Sequence, residues 1–194
     1  MFRKWEVSLF CALLLTVLLA SFGTFGADCG AVRADTLRRH IRANSDTDAD
    51  QQLKLTVRDG VLQQFGAIFS TAQNKASATA LAKEQLGAVQ EAAAEIVAAA
   101  GKSYSVHASV QHMYFDTTVY DGFTLPAGYY DAVRIDLGEA KGHNWFCVMY
   151  PPLCLPAAVN DDALAGYTSA EKSVVQSPYK LKFALVEWLE KLKK

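Results

Sequence analysis

The sequence predicts an α+β domain: a mainly antiparallel sheet with a pair of helices packed on one face, plus a C-terminal amphipathic helix. Three observations carry this. Apolar residues recur at helical spacing from Asp48 to Phe69 and again from Ser77 to Ala100. From Ser103 the period changes to two and holds, between turn residues, as far as Tyr150. Helices and strands are thus segregated along the chain, not alternating as in a parallel α/β fold.

The chain opens with Arg3 and Lys4, then an almost unbroken apolar run from Val7 to Ala20. Small residues follow, with Thr24-Phe25-Gly26 and Val32-Arg33-Ala34 as cleavage candidates. Residues 1–30 therefore read as a signal sequence or an N-terminal membrane anchor, and the chain as exported. Residues 35–155 form the predicted domain, and 156–194 a linker followed by the C-terminal helix.

Leu37 to Asn44 reads as the first strand. Leu37, Arg39, Ile41 and Ala43 share one face and Arg38, His40, Arg42 and Asn44 the other, so Arg39 falls on the apolar side. Ser45 to Asp50 supplies helix-capping residues and acids suited to a helix N-terminus. The first helix then runs Asp48 to Phe69 on a stripe of Leu53, Val57, Val61, Phe65, Ile68 and Phe69. The second, Ser77 to Ala100, is expected to bury Leu81, Val89, Ala92, Ile96 and Ala100, and Gly101 stops it. In the next strand Val106, Ala108, Val110, His112 and Tyr114 share a face. Thr117 to Leu125 reads as a hairpin turning at Asp121-Gly122. Tyr129 to Leu137 and Trp145 to Tyr150 complete the strands. Pro178 suits the start of the last helix, whose Leu181, Leu185, Trp188, Leu189 and Leu192 face one way and its lysines the other. That helix docks on the domain, lies on a membrane surface or is disordered.

The chemistry is defined mostly by what is missing. A formal charge of −1 gives no extended surface for nucleic acid. Gly138 to Gly142 lacks the Lys-Ser/Thr ending of a phosphate loop, and no Gly-x-Ser-x-Gly elbow occurs. Asp46 to Asp50 superficially resembles a calcium loop, but Gln51 stands where that loop needs glycine and Val57 where it needs glutamate. No cofactor or small-molecule substrate is indicated. Attention falls instead on Lys141 to Cys154, KGHNWFCVMYPPLC. Three readings of its cysteines stand side by side. Cys147 and Cys154 pair in a disulfide, as nearby cysteines of exported chains commonly do. Alternatively Cys147 is a thiol nucleophile served by His112 or His143. Or Cys147, Cys154, His143 and His112 hold a metal in a hydrolase. A passive envelope-binding module is a further class.

Two long stretches resemble a known family. HIRANSDTDADQQLKLTVRDGVL, His40 to Leu62, and TLPAGYYDAVRIDLGEAKGHNWFCVMYPPLC, Thr124 to Cys154, are similar to stage II sporulation protein R of endospore-forming bacteria. The resemblance covers about Leu37 to Cys154; Arg39 and Arg42 make the first strand more basic than the family pattern. The resemblance implies a signal rather than an enzyme, with no catalytic residue of its own. It implies export into the space between forespore and mother-cell membranes. The partner implied is a membrane-embedded aspartic protease, which then processes the pro-form of mother-cell sigma factor E. The density of family-like residues beside the cysteines makes Lys141, Gly142, Asn144, Trp145, Phe146, Pro151 and Pro152 the expected partner-binding set.

Overall fold

The computed structural model describes residues 3–120, 122–152, 164–177 and 180–192. Its elements are α1 (Lys4–Ala34), β1 (Leu37–Arg42), α2 (Asp48–Ser70), α3 (Lys75–Glu84), α4 (Leu86–Ala99), β2 (Val106–Phe115), β3 (Thr118–Tyr120), β4 (Phe123–Leu125), β5 (Gly128–Leu137), β6 (Asn144–Tyr150), α5 (Ser169–Val175) and α6 (Lys180–Leu192). The class is α+β with a C-terminal helix, as the segregation of periods requires. Asp121, Cys154, Pro178 and most of the predicted linker lie outside the described residues.

Four strands form one sheet in the order β2-β5-β1-β6. β1 runs parallel to β5 and antiparallel to β6, while β2 and β5 pair antiparallel. β3 and β4 form a separate hairpin. The helices α2, α3 and α4 cover one face. Leu37 and Ile41 of β1, Val133, Ile135 and Leu137 of β5 and Met149 of β6 meet Leu53, Val57, Val61 and Phe65 of α2 and Val89, Ala93 and Val97 of α4 there. The period-two and period-3.6 stripes of the sequence thus close on each other.

Two features differ from the sequence expectation. The second helix is broken at Gln85, whose backbone N–H still reaches the carbonyls of Leu81 and Lys83. Gly87 stands just beyond, and glycine costs about 1 kcal/mol against alanine in a helix, so the long helix is weakest there. The second difference is larger. The other sheet face, expected to be polar, is partly covered by a second core. Phe25, Cys29 and Val32 of α1, Phe123 and Leu125 of the hairpin, Val174 and Val175 of α5 and Phe183 and Val186 of α6 pack with Val148 and Tyr167. Beside it Phe115, Tyr130 and Ala132 form a smaller cluster with Phe146 packed on it, and Arg38 and His40 are buried against those rings.

α1 has two halves. From Trp5 to Leu19 its apolar side chains are exposed, whereas Phe25, Cys29 and Val32 are buried. By length and composition this helix is long and apolar enough to cross a membrane. It runs past residue 30 to Ala34, two residues before β1. α6 docks on it by a face the leucine stripe did not single out. The Phe25 and Phe183 rings meet edge to face at 5.3 Å, and Arg33 pairs with Glu190 at 3.4 Å. Leu181, Leu185, Trp188, Leu189 and Leu192 point to solvent.

Candidate functional site

The two motif-bearing segments meet at one end of the sheet. The loop after β1 turns into α2, and the loop between β5 and β6 folds back over it. Backbone bonds tie Lys141 N–H to Asn44 O at 3.2 Å and Gly142 N–H to Ala43 O at 3.0 Å. Asn44 accepts from the Glu139 N–H at 3.0 Å through Oδ1 and donates to Asp50 through Nδ2 at 2.9 Å. Thr47 caps α2 by accepting from the Asp50 N–H.

Asp50 is buried and is the hub. Its carboxylate accepts from Ser45 Oγ at 2.6 Å, Asn44 Nδ2 at 2.9 Å and Tyr104 Oη at 3.0 Å. Those donors, Ser45 foremost, hold its pKa below the ordinary aspartate range. The acids of the would-be calcium loop are thus helix-start and loop-clasp residues. Asp46 accepts from both the backbone N–H and the ring Nδ1 of His143, and the backbone bond is the larger cause of its lowered pKa. Lys54, also buried, donates to Gln51 Oε1 at 2.6 Å and to the His143 carbonyl at 3.1 Å.

The predicted partner-binding residues divide by environment. Lys141 and Asn144 are exposed, Lys141 pairing with Glu139 at 2.7 Å. Gly142 is buried against the backbone of Ser45, so closely that a Cβ would collide with the Ser45 carbonyl. Trp145 packs against the main core opposite Ile41. Phe146 lies on the other face, against His40 at 5.0 Å and Phe115 at 5.4 Å. Pro151, joined to Tyr150 by a cis peptide bond, is buried; Pro152 is half-buried.

Cys147 is buried and disulfide-bonded. Cys154, with which the sequence pairs it, lies outside the described residues. Neither predicted base reaches Cys147. His112 sits on β2, the opposite edge of the sheet, roughly 14 Å away at three strand spacings. It bonds Asp131 at 2.8 Å and stacks on Tyr129. His143 is exposed and turned to Asp46. His40 is in the neighbouring strand opposite Phe146, so its ring is on the far face from Cys147. The histidines and cysteine proposed as a metal set are likewise scattered.

Sequence reasoning missed Arg38, His40 and Arg39 as buried groups. The fall of Arg39 on the apolar side was the one signal available. Arg38 is fully buried, with its guanidinium 4.0 Å from the Phe115 ring centroid and 5.0 Å from that of Tyr130. It donates to Tyr120 Oη at 2.9 Å and Thr118 Oγ1 at 3.1 Å.

Comparison with known proteins fits this arrangement. No solved structure matches the chain. The stage II sporulation protein R of Bacillus subtilis (strain 168) is 33% identical over 141 residues, 73% of this chain. The chain spans 63% of the length of that relative. A family model described as stage II sporulation protein R matches residues 33–160. That span takes in both clasped loops, the whole sheet and Cys147, and the chain belongs to the stage II sporulation protein R family.

Proposed function

We propose that this chain is an exported signalling protein of sporulation that activates a membrane-embedded aspartic protease, leading to processing of the pro-form of mother-cell sigma factor E. Family membership over residues 33–160 carries the reading. The dispersal of His112, His143 and Cys147 supports it, since a thiol enzyme needs its base within hydrogen-bond reach. The site of action is the space between the forespore and mother-cell membranes. Cys147 pairs with Cys154, and Lys141, Asn144, Trp145 and Pro152 form the partner-facing set around the clasped loops.

In this reading the leader stays attached as an anchor. Cleavage after Ala34 would strip Cys29 and Val32 from the second core and Arg33 from its bonds to the Ala127 carbonyl, at 3.0 Å, and to Glu190. Mass spectrometry of the unreduced protein from membranes tests this together with the disulfide. Full-length mass with Cys147 and Cys154 bridged is expected; a soluble chain starting at Ala27 or Asp35 would end the anchor reading.

The central test is co-expression with the protease and the pro-sigma factor in a heterologous host. Processing should depend on this chain and should fall with Trp145→Ala protein that folds normally. Equal processing without the chain would refute the proposal. A reactive Cys147 thiol would favour a hydrolase instead.

A further inference from the structure

Arg39 is where strand alternation and residue type disagree. Its side chain shares the helix-covered face with Leu37 and Ile41 and is only 3% exposed. Among the described residues its Nε meets no acceptor and no carboxylate pairs with it. Its guanidinium lies 5.6 Å from the Trp145 ring centroid, and Arg58 lies 5.2 Å from the same ring. One indole thus serves two cations. Arg58 has its own carboxylate, Asp59, at 2.6 Å and 2.9 Å. Burial, and then the Arg58 charge, push the Arg39 pKa down to about 10, so it stays charged near neutrality.

The neighbouring Arg38 also leaves buried nitrogens, Nε and Nη1, without an acceptor among the described residues, but three aromatic rings and two hydroxyls surround its guanidinium. Arg39 has no such set. A buried charge without a partner is costly, so its retention calls for a counter-charge from elsewhere. A cleft leads to it, with Leu62, Gly66 and Phe69 of α2 on one wall and Met149 and Pro152 on the other. It holds about 20 Å³, the space of one water or one carboxylate oxygen. The cleft opens beside β6, the last strand of the sheet, whose outer edge pairs with no strand among the described residues.

We propose that this cleft recognises a carboxylate of a protein partner: an extended acidic segment runs along the free edge of β6 and places an Asp or Glu side chain on Arg39, beside Trp145. Edge-strand addition supplies main-chain bonds, and the charge sets register and specificity. The proposal deepens the reading of this chain as a signal acting by protein contact, by giving the partner segment a chemistry.

The test uses full-length protein in detergent micelles with Trp5→Phe and Trp188→Phe, both exposed positions, so that Trp145 is the sole tryptophan. A blocked seven-residue β-forming peptide with a central glutamate, and its glutamine twin, are titrated at constant ionic strength. The glutamate peptide should give a saturable change in Trp145 fluorescence, with at least tenfold weaker binding for the glutamine twin. Arg39→Met should abolish the response and, without peptide, raise the melting temperature. No response, an equal response to both peptides, or a response that survives Arg39→Met overturns the proposal. So does a response that appears only after Asp161→Asn with Asp162→Asn, which would make the counter-ion one of the chain's own acids. The titration contains no protease, so its failure and a failure of the processing assay are independent.

Discussion

The Lys54 ammonium donates to the backbone carbonyl of His143 at 3.1 Å, joining α2 to the loop that leads into β6. Both partners lie in the stretches that resemble the family. Lys54→Met keeps the length of the stem but leaves the His143 carbonyl and the Gln51 amide oxygen without this donor. Losing a buried charged donor costs about 1–3 kcal/mol. Urea unfolding should show that loss, with the midpoint lowered and the slope unchanged. An unchanged midpoint would mean that water replaces the ammonium at no cost.

Gly142→Ala should destabilise the domain by about 1–3 kcal/mol, the range for forcing an extra carbon into a packed site. Here the obstacle is backbone, the Ser45 carbonyl, which has no rotamer to yield. The loop can relieve the clash only by giving up the Gly142 N–H bond to Ala43. Faster amide exchange at Gly142 and at Lys141 is the direct readout.

His40 predicts an acid-sensitive step. Burial, aided by the charges of Arg134 and Arg42, pushes its pKa below the ordinary imidazole value. Its unfolded-state pKa is about 6.5. The neutral ring between Phe115 and Phe146 is therefore favoured by folding. Its contribution is complete above pH about 6.5 and is lost as pH falls through the depressed folded value. Melting temperature against pH should begin to fall below about 6.5, and His40→Phe should flatten that part of the curve. The steeper loss at lower pH, where Asp50 takes up its proton, should remain in both proteins.

Phe183→Ala should loosen the second core without unfolding the main one. Deleting a buried phenylalanine side chain costs about 3–5 kcal/mol, and here the loss falls on the contact of α6 with Phe25. Limited proteolysis should cut α6 first, while the sheet and α2 stay protected. Simultaneous loss of both cores would show that they unfold as one unit.

The main fold was legible because its stripes are clean. Leu53, Val57 and Val61 announce a helix face, and Val133, Ile135 and Leu137 announce a strand face; the two meet as their spacing requires. The second core was not legible, because its contributors are far apart in sequence and belong to segments with competing explanations. Phe25, Cys29 and Val32 sit at the end of a leader, and Phe183 and Val186 lie off the leucine stripe of α6. The clasp was half legible. Ser45, Thr47 and Asp50 read correctly as a helix start, but that Asp46 and Asn44 would hold the loop before β6 depends on sheet order, since β6 returns beside β1. The burial of Arg38 and His40 was missed for the same reason: alternation assigns a side chain to a face but does not say what covers that face.

Only Asp35 and Thr36 separate α1 from β1, the strand flanked by β5 and β6. With α1 held in a bilayer, such a connection has almost no slack. The domain would diffuse in two dimensions rather than three, at nearly fixed height and tilt, presenting β6 at one level above the lipid. A partner in the facing membrane would then meet it at a high effective concentration. Lengthening the connection with a flexible insert would dilute that advantage only as far as the contacts of Phe25, Cys29 and Val32 in the second core let go.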